Sequence, residues 1–161
     1  MRLSEGVEWA VHCCTMLAAL PEGKTLGPGD LAAYFEVPKA YLAKHLQSLS
    51  RAGILNASPG RSGGYRLARA TDAITLRDVV IAIEGSEPCF RCQEIRRRGP
   101  TGQPQRCYTK PCGIARAMWA AEKVFLDALG KTTLAKLIAE AKNEVSKEQQ
   151  AATERWLKRV A

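Results

Sequence analysis

The sequence predicts a mainly α-helical protein carrying one small β-hairpin, and three observations support that fold class. Apolar residues recur at three- and four-residue spacing in several stretches separated by stop signals. A short segment of strand character is split by the glycine-rich turn Ser58-Pro59-Gly60-Arg61-Ser62-Gly63-Gly64. The chain has 161 residues, 46% of them hydrophobic and only 6% aromatic, enough for one compact domain or a small domain with an oligomerisation arm.

Ser4 is placed to cap a first helix whose buried stripe is Val7, Ala10, Val11, Cys14, Leu17 and Ala18. Glu8 and His12 lie off that stripe, four residues apart, so they project from one face away from the core, with Trp9 beside them. After Pro21-Glu22-Gly23, a short helix over about 29–35 and a longer one over 38–52 have helix-turn-helix spacing. The second turns Tyr41, Leu42, Leu46 and Leu49 toward a core and leaves Lys39, Lys44, His45, Gln47, Ser48 and Arg51 largely on other faces, with Gly53 as its stop. Ile54-Leu55 and Tyr65-Arg66-Leu67 then pair as a hairpin, the wing of a winged helix-turn-helix. Thr75 caps a helix over 75–83, with Asp78 placed for a capping box, and Glu84-Gly85 stops it.

In the helix predicted over 113–129, Ile114, Ala117, Met118, Ala121, Val124, Phe125 and Ala128 form a continuous apolar stripe that needs a partner. The stripe packs either on its own domain or, as the simpler expectation, in an antiparallel or crossing pair between two subunits. A helix over 133–141 and a charged terminal helix ending near Val160 follow. The expected division is a winged helix-turn-helix DNA-binding domain over 1–85 and, over 86–161, a cysteine-containing loop with a helical dimerisation region.

The net charge is +8 and the isoelectric point about 9.4. From 37 to 71 there is no acidic residue, while Lys39, Lys44, Arg51, Arg61, Arg66 and Arg69 fall in that window. Charge clustered in this way points to nucleic acid rather than a membrane. The N-terminal half of the second helix is expected in the major groove, with Lys39, Lys44, Gln47 and Ser48 as contacts and Arg51 and Arg66 adding to the basic surface. Tyr41 faces either the core or a phosphate. No apolar stretch reaches the roughly 20 residues that span a bilayer, and the N-terminus lacks the pattern of a secretory signal, so a cytoplasmic protein is expected.

In a reducing compartment six cysteines favour metal ligation or redox work over a disulfide framework. Cys89, Cys92, Cys107 and Cys112 lie in a turn-rich insert, where residues 96–110 include Arg96-Arg97-Arg98, two glycines and two prolines. Nothing in that insert looks able to order itself by packing, so something else is expected to tie the thiols together. Four thiolates on zinc are one solution, although Cys107 and Cys112 sit at the wide edge of zinc-knuckle spacing. Cys13 and Cys14 read as small helix residues. No general-base constellation surrounds any cysteine, which argues against an enzyme.

The segments Tyr41-Leu42-Ala43-Lys44, Leu49-Ser50-Arg51-Ala52-Gly53-Ile54-Leu55, Gly63-Gly64-Tyr65-Arg66-Leu67 and Ile74-Thr75-Leu76-Arg77-Asp78-Val79-Val80 resemble the winged-helix family of IscR, NsrR and RsrR, and the likeness covers nearly the whole chain. That resemblance implies a dimeric bacterial transcription regulator, many of whose relatives hold an iron-sulfur cluster between the DNA-reading and dimerisation elements. The RsrR-like branch is the most similar, through Gly6-Val7-Glu8-Trp9-Ala10-Val11-His12-Cys13-Cys14, Glu94-Ile95-Arg96-Arg97-Arg98-Gly99-Pro100 and Ile114-Ala115-Arg116-Ala117-Met118. The IscR ligand pattern is not met, because no histidine follows Cys112.

The RsrR-like resemblance implies a [2Fe-2S] cluster held by Cys92 and Cys112 of one subunit and Glu8 and His12 of the other, a mixed set of the kind that raises the potential in Rieske centres. Cys89 and Cys107 stay open as spare thiols, replacement ligands or halves of a disulfide. Trp9 is a candidate relay beside Glu8. In the wing, IscR-like proteins often carry a basic residue where this chain has Pro59, which leaves Arg61 as the substitute minor-groove or phosphate contact. The expectation is a homodimer reading a pseudo-palindromic site in double-stranded DNA, with half-sites about one helical turn apart. The alternative is a constitutive DNA-binding protein with structural zinc.

Overall fold

The computed structural model describes residues 2–60 and 63–160. Among them are seven α-helices and one antiparallel hairpin: α1 (Glu5–Ala18), α2 (Pro28–Phe35), α3 (Lys39–Arg51), β1 (Leu55–Ser58), β2 (Gly64–Leu67), α4 (Leu76–Glu84), α5 (Gly113–Leu129), α6 (Leu134–Glu144) and α7 (Lys147–Val160). The mainly helical class with a small wing is the fold found. No helix among the described residues is long and apolar enough to cross a membrane.

Local signals set most helix ends. The α2–α3 turn places Glu36 in the left-handed region at φ 53°, with the Val37 N–H donating to the Ala32 carbonyl at 3.0 Å. After α3, Gly53 takes φ +67°, which an L side chain resists, and the Ile54 N–H closes back on the Leu49 carbonyl at 3.0 Å. At α4 the capping box is complete: the Asp78 N–H donates to Thr75 Oγ1 at 3.2 Å and the Thr75 N–H to Asp78 Oδ2 at 2.9 Å. Ser4 does stand at the N-cap of α1, but its side chain caps nothing; its N–H and hydroxyl both donate to Glu84 Oε1, at 2.8 and 2.7 Å, and clip the start of α1 to the end of α4.

The core gathers Leu17, Leu26, Leu31, Leu42, Leu46, Leu49, Ile54, Leu55, Ile74, Val79 and Leu134 around α1. The stripe of α1 is rotated from the one expected. Cys13 and Met16 are buried alongside Cys14, whereas Val11 and Ala18 are only half-buried, because α3, α4 and β2 cover α1 from more than one side. Tyr41 is corrected outward, at 60% exposed: Leu42, Leu46 and Leu49 already fill the inner face of α3 at helical spacing. Residues from the far end of the chain complete this core. Leu137, Ile138, Trp156 and Val160 pack on it, the Trp156 ring lies 4.6 Å from that of Tyr34, and the Tyr34 and Thr153 hydroxyls bond at 2.9 Å.

The wing pairs Leu55 with Leu67 through Ser58 with Gly64. Leu26 adds an isolated bridge to β2, exchanging backbone bonds with Tyr65 at 2.8 and 3.1 Å, and Gly64 permits that approach because a Cβ there would strike the Leu26 carbonyl.

Helix α5 has the bounds the sequence predicts. Its Ala115 side is buried and Arg77 of α4 pairs with Asp127 at 3.7 Å, but the apolar stripe faces the other way: Ile114 and Val124 are each 70% exposed and Met118 is 47% exposed. Within the chain, most of that stripe is not spent on the protein's own core.

Candidate DNA interface and metal centre

On α3, Lys39, Tyr41, Lys44, Gln47 and Arg51 are exposed and Ser48 is half-buried, while Arg66 is exposed on β2. Lys44 Nζ sits 5.3 Å from the centre of the Tyr41 ring, so cation and ring form one unit on the outer face. Arg61 lies outside the described residues. His45, grouped with the polar faces by its spacing, instead turns inward against α1. Its ring meets Trp9 edge-on with centroids 6.0 Å apart, and any Cβ on residue 6 would collide with it. Gly6 was the available signal, since a glycine inside a helix costs about 1 kcal/mol against alanine and so asks for a packing reason. Trp9 therefore touches the helix expected to read DNA.

The four insert cysteines do not converge. Cys92 and Cys112 meet, with their sulfurs 3.8 Å apart. That is far beyond the disulfide length of about 2.05 Å. It matches the separation of about 3.8 Å between two sulfurs bound at about 2.3 Å to one tetrahedral metal. Each sulfur also accepts a backbone N–H, Cys92 from Glu94 at 3.4 Å and Cys112 from Ala115 at 3.2 Å. Cys112 is the N-cap of α5, and the Ala115 amide above all draws its thiol below the usual range. Cys112 is therefore suited to act as a thiolate, with the Cys92 sulfur beside it.

Cys89 is in the opposite situation. Its N–H donates to Glu122 Oε1 at 2.8 Å, and hydrogen bonding to the same carboxylate pushes its thiol upward, favouring the protonated form. Cys107 is exposed at the end of a short 3-10 turn. Among the described residues no three of His, Cys, Asp and Glu gather into a metal-holding group, so Glu8 and His12 do not join the thiol pair of their own chain. Both are exposed on α1, with the His12 ring 5.7 Å from that of Phe35.

The insert is ordered by polar contacts rather than by packing. Arg96 forks onto the Glu94 carboxylate through Nε and Nη2, and holds it below the usual carboxylate range. The Arg96 guanidinium stacks 5.0 Å from the Tyr108 ring centre, whose hydroxyl donates to the Arg96 carbonyl at 2.8 Å and accepts the Gln103 N–H at 3.0 Å. Trp119 of α5 donates its indole N–H to the Phe90 carbonyl at 2.9 Å. The arginine run read as part of a turn-rich stretch with no apolar periodicity, and Tyr108, a lone aromatic in a polar stretch, was the overlooked signal.

Residues 3–140 match the model of the Rrf2 family, described as iron-dependent transcriptional regulators. The chain belongs to the Rrf2 family. It is 32% identical over 140 residues to the HTH-type transcriptional regulator YffB of Lactococcus lactis, covering 87% of this chain and 88% of that one. Its fold is similar to that of IscR from T. potens, with a TM-score of 0.65 at 19% identity over 91% of this chain and 93% of that one. It is also similar to CymR, the global cysteine regulator of B. subtilis, with a TM-score of 0.60 at 21% identity over 87% and 98% of the two chains. Rrf2 proteins are transcription regulators rather than enzymes, and the winged helix here is that of a DNA-binding regulator.

Proposed function

We propose that this Rrf2 regulator works as a homodimer in the reducing cytoplasm, and that its occupancy of a pseudo-palindromic operator follows the redox state of a [2Fe-2S] cluster. The observation that carries the reading is the Cys92–Cys112 pair, whose sulfurs stand 3.8 Å apart at the separation one tetrahedral iron requires. Only this pair of the four insert thiols meets, which supports a mixed ligand set over four thiolates on zinc. The iron in the family's description points the same way.

Glu8 and His12, exposed and four residues apart on α1, are the proposed remaining ligands, supplied by a second copy of the chain. The exposed stripe of Ile114, Met118 and Val124 on α5 supports such a pairing, because burying it between two copies removes apolar surface that one copy leaves in water. When bound, the cluster supplies a one-electron change of charge at the junction of α1 and α5. Trp9, next to Glu8 and against His45, is the proposed link from that charge to α3. On DNA, Lys39, Lys44, Gln47 and Ser48 face the major groove, Tyr41, Arg51 and Arg66 contact phosphate, and Arg61 serves the wing.

The test is the visible spectrum and the iron, sulfide and zinc content of anaerobically purified protein, before and after dithionite, followed by operator binding in each state. Two irons and two sulfides per chain, with a reversible bleach that Glu8→Ala/His12→Ala abolishes, is the expected result. Colourless protein with zinc would reject the redox reading, and a redox difference in affinity that survives Trp9→Ala would remove the proposed relay.

A further inference from the structure

The Arg96 side chain joins two points of the insert that stand in the same relation to the thiol pair. Its guanidinium forks onto Glu94, two residues after Cys92, and Nη2 also donates to the carbonyl of Lys110, two residues before Cys112, at 3.3 Å. Tyr108 lies under the guanidinium and ties back to the Arg96 carbonyl, so both faces of the loop close on one residue. Glu94 then passes the order on, because its own N–H is the donor to Cys92 Sγ.

We propose that Arg96 is a positioning residue that folds the insert in the metal-free protein, so that Cys92 and Cys112 stand as a dithiol clamp before any metal arrives. This rests on the assignment of Cys92 and Cys112 as ligands. The two cysteines are 20 residues apart in the chain, and a free loop of that length pays an entropic cost each time its ends are brought together. The guanidinium pays it beforehand. Arginine suits this task better than lysine, since the contacts need a planar fork for the carboxylate, a further N–H for the Lys110 carbonyl and a flat face for the Tyr108 ring.

A probe that needs two adjacent thiols tests this without iron. Phenylarsine oxide bridges a pair of thiols, forming two arsenic–sulfur bonds with loss of one water and no change of oxidation state. The full-length apo-protein in a Cys89→Ser/Cys107→Ser background presents only Cys92 and Cys112, because Cys13 and Cys14 are buried. Wild-type insert is expected to take up one arsenical per chain quickly. Arg96→Gln and Arg96→Lys should do so at least tenfold more slowly and Tyr108→Phe to an intermediate degree, while alkylation of either thiol by iodoacetamide and the urea midpoint stay as in the parent. Unchanged capture in Arg96→Gln, or slowing matched by equal slowing of iodoacetamide, would overturn the proposal. Glu94→Gln, which keeps an acceptor but loses the charge, gives a second reading if Arg96→Gln folds poorly: slower capture supports the clamp, and parental capture counts against it. Because no iron is involved, a colourless purified protein with rapid arsenical capture rejects the redox-cluster reading and leaves the clamp standing.

Discussion

The DNA-reading unit and the cysteine insert are held together by opposite means. In the first, Leu26, Leu31, Leu42, Leu46, Leu49 and Ile54 are each removed completely from solvent, and order is spread over many interchangeable apolar contacts. In the second, no residue from Cys89 to Cys112 is buried and most are exposed, and order is concentrated in Arg96, Tyr108, Glu94 and a few backbone amides. A core of the first kind opens only with the whole fold, whereas a region of the second kind opens locally and at small cost. One chain thus combines a rigid reading surface with a segment that can open locally.

That contrast sets an order of expected effects. Cys92→Ser or Cys112→Ser should abolish bound iron and sulfide by chemical analysis while leaving the urea midpoint of the apo-protein in place; a fall in the midpoint would show that the insert and the core are one cooperative unit. Leu46→Ala should cost the reading unit about 2–5 kcal/mol in urea unfolding, against less than about 0.5 for Arg98→Ala in the insert. On α5, Val124→Glu should convert a dimer to a monomer in light scattering and weaken operator binding together with it. Smaller again, Lys44→Ala should weaken binding to all sequences alike and reduce the salt dependence of log K by about one charge, measured by fluorescence anisotropy across a salt series.

The smallest effect concerns pH. Burial pushes the Cys13 and Cys14 thiols up to about 12, from an ordinary value of 9.0. Between those values the unfolded chain gives up protons that the folded chain keeps, so the stability present below pH 9 is lost as pH rises through that window. Urea midpoints from pH 7 to 11 should fall less steeply in Cys13→Ala/Cys14→Ala than in the parent.

The sequence made the apolar architecture legible because burial leaves a period. The bounds of α5 and the capping box at Thr75 and Asp78 follow from spacing alone. Where side chains of one class compete for one face the period blurs: Tyr41 went outward because leucines already occupied the inside of α3, and Cys13 and Met16 went inward because α1 is covered from several sides. The thiol pair was legible as a pair only through family resemblance. Its physical support was not, since stacking of Arg96 on Tyr108 and the reach of Nη2 to Lys110 depend on a loop path that no repeat encodes. His45 was hidden for a related reason, as its seat exists only because Gly6, far away in sequence, has no side chain.

The bond between Tyr34 and Thr153 spans 119 positions, and Trp156 and Leu157 follow it into the same core. During synthesis the helix-turn-helix therefore leaves the ribosome with one wall missing. Its packing is completed only when residue 157 has cleared the exit tunnel, so the recognition helix is made well before the core that supports it is closed. A nascent chain stalled before that point should be one that chaperones hold and proteases cut, however early its recognition helix is made.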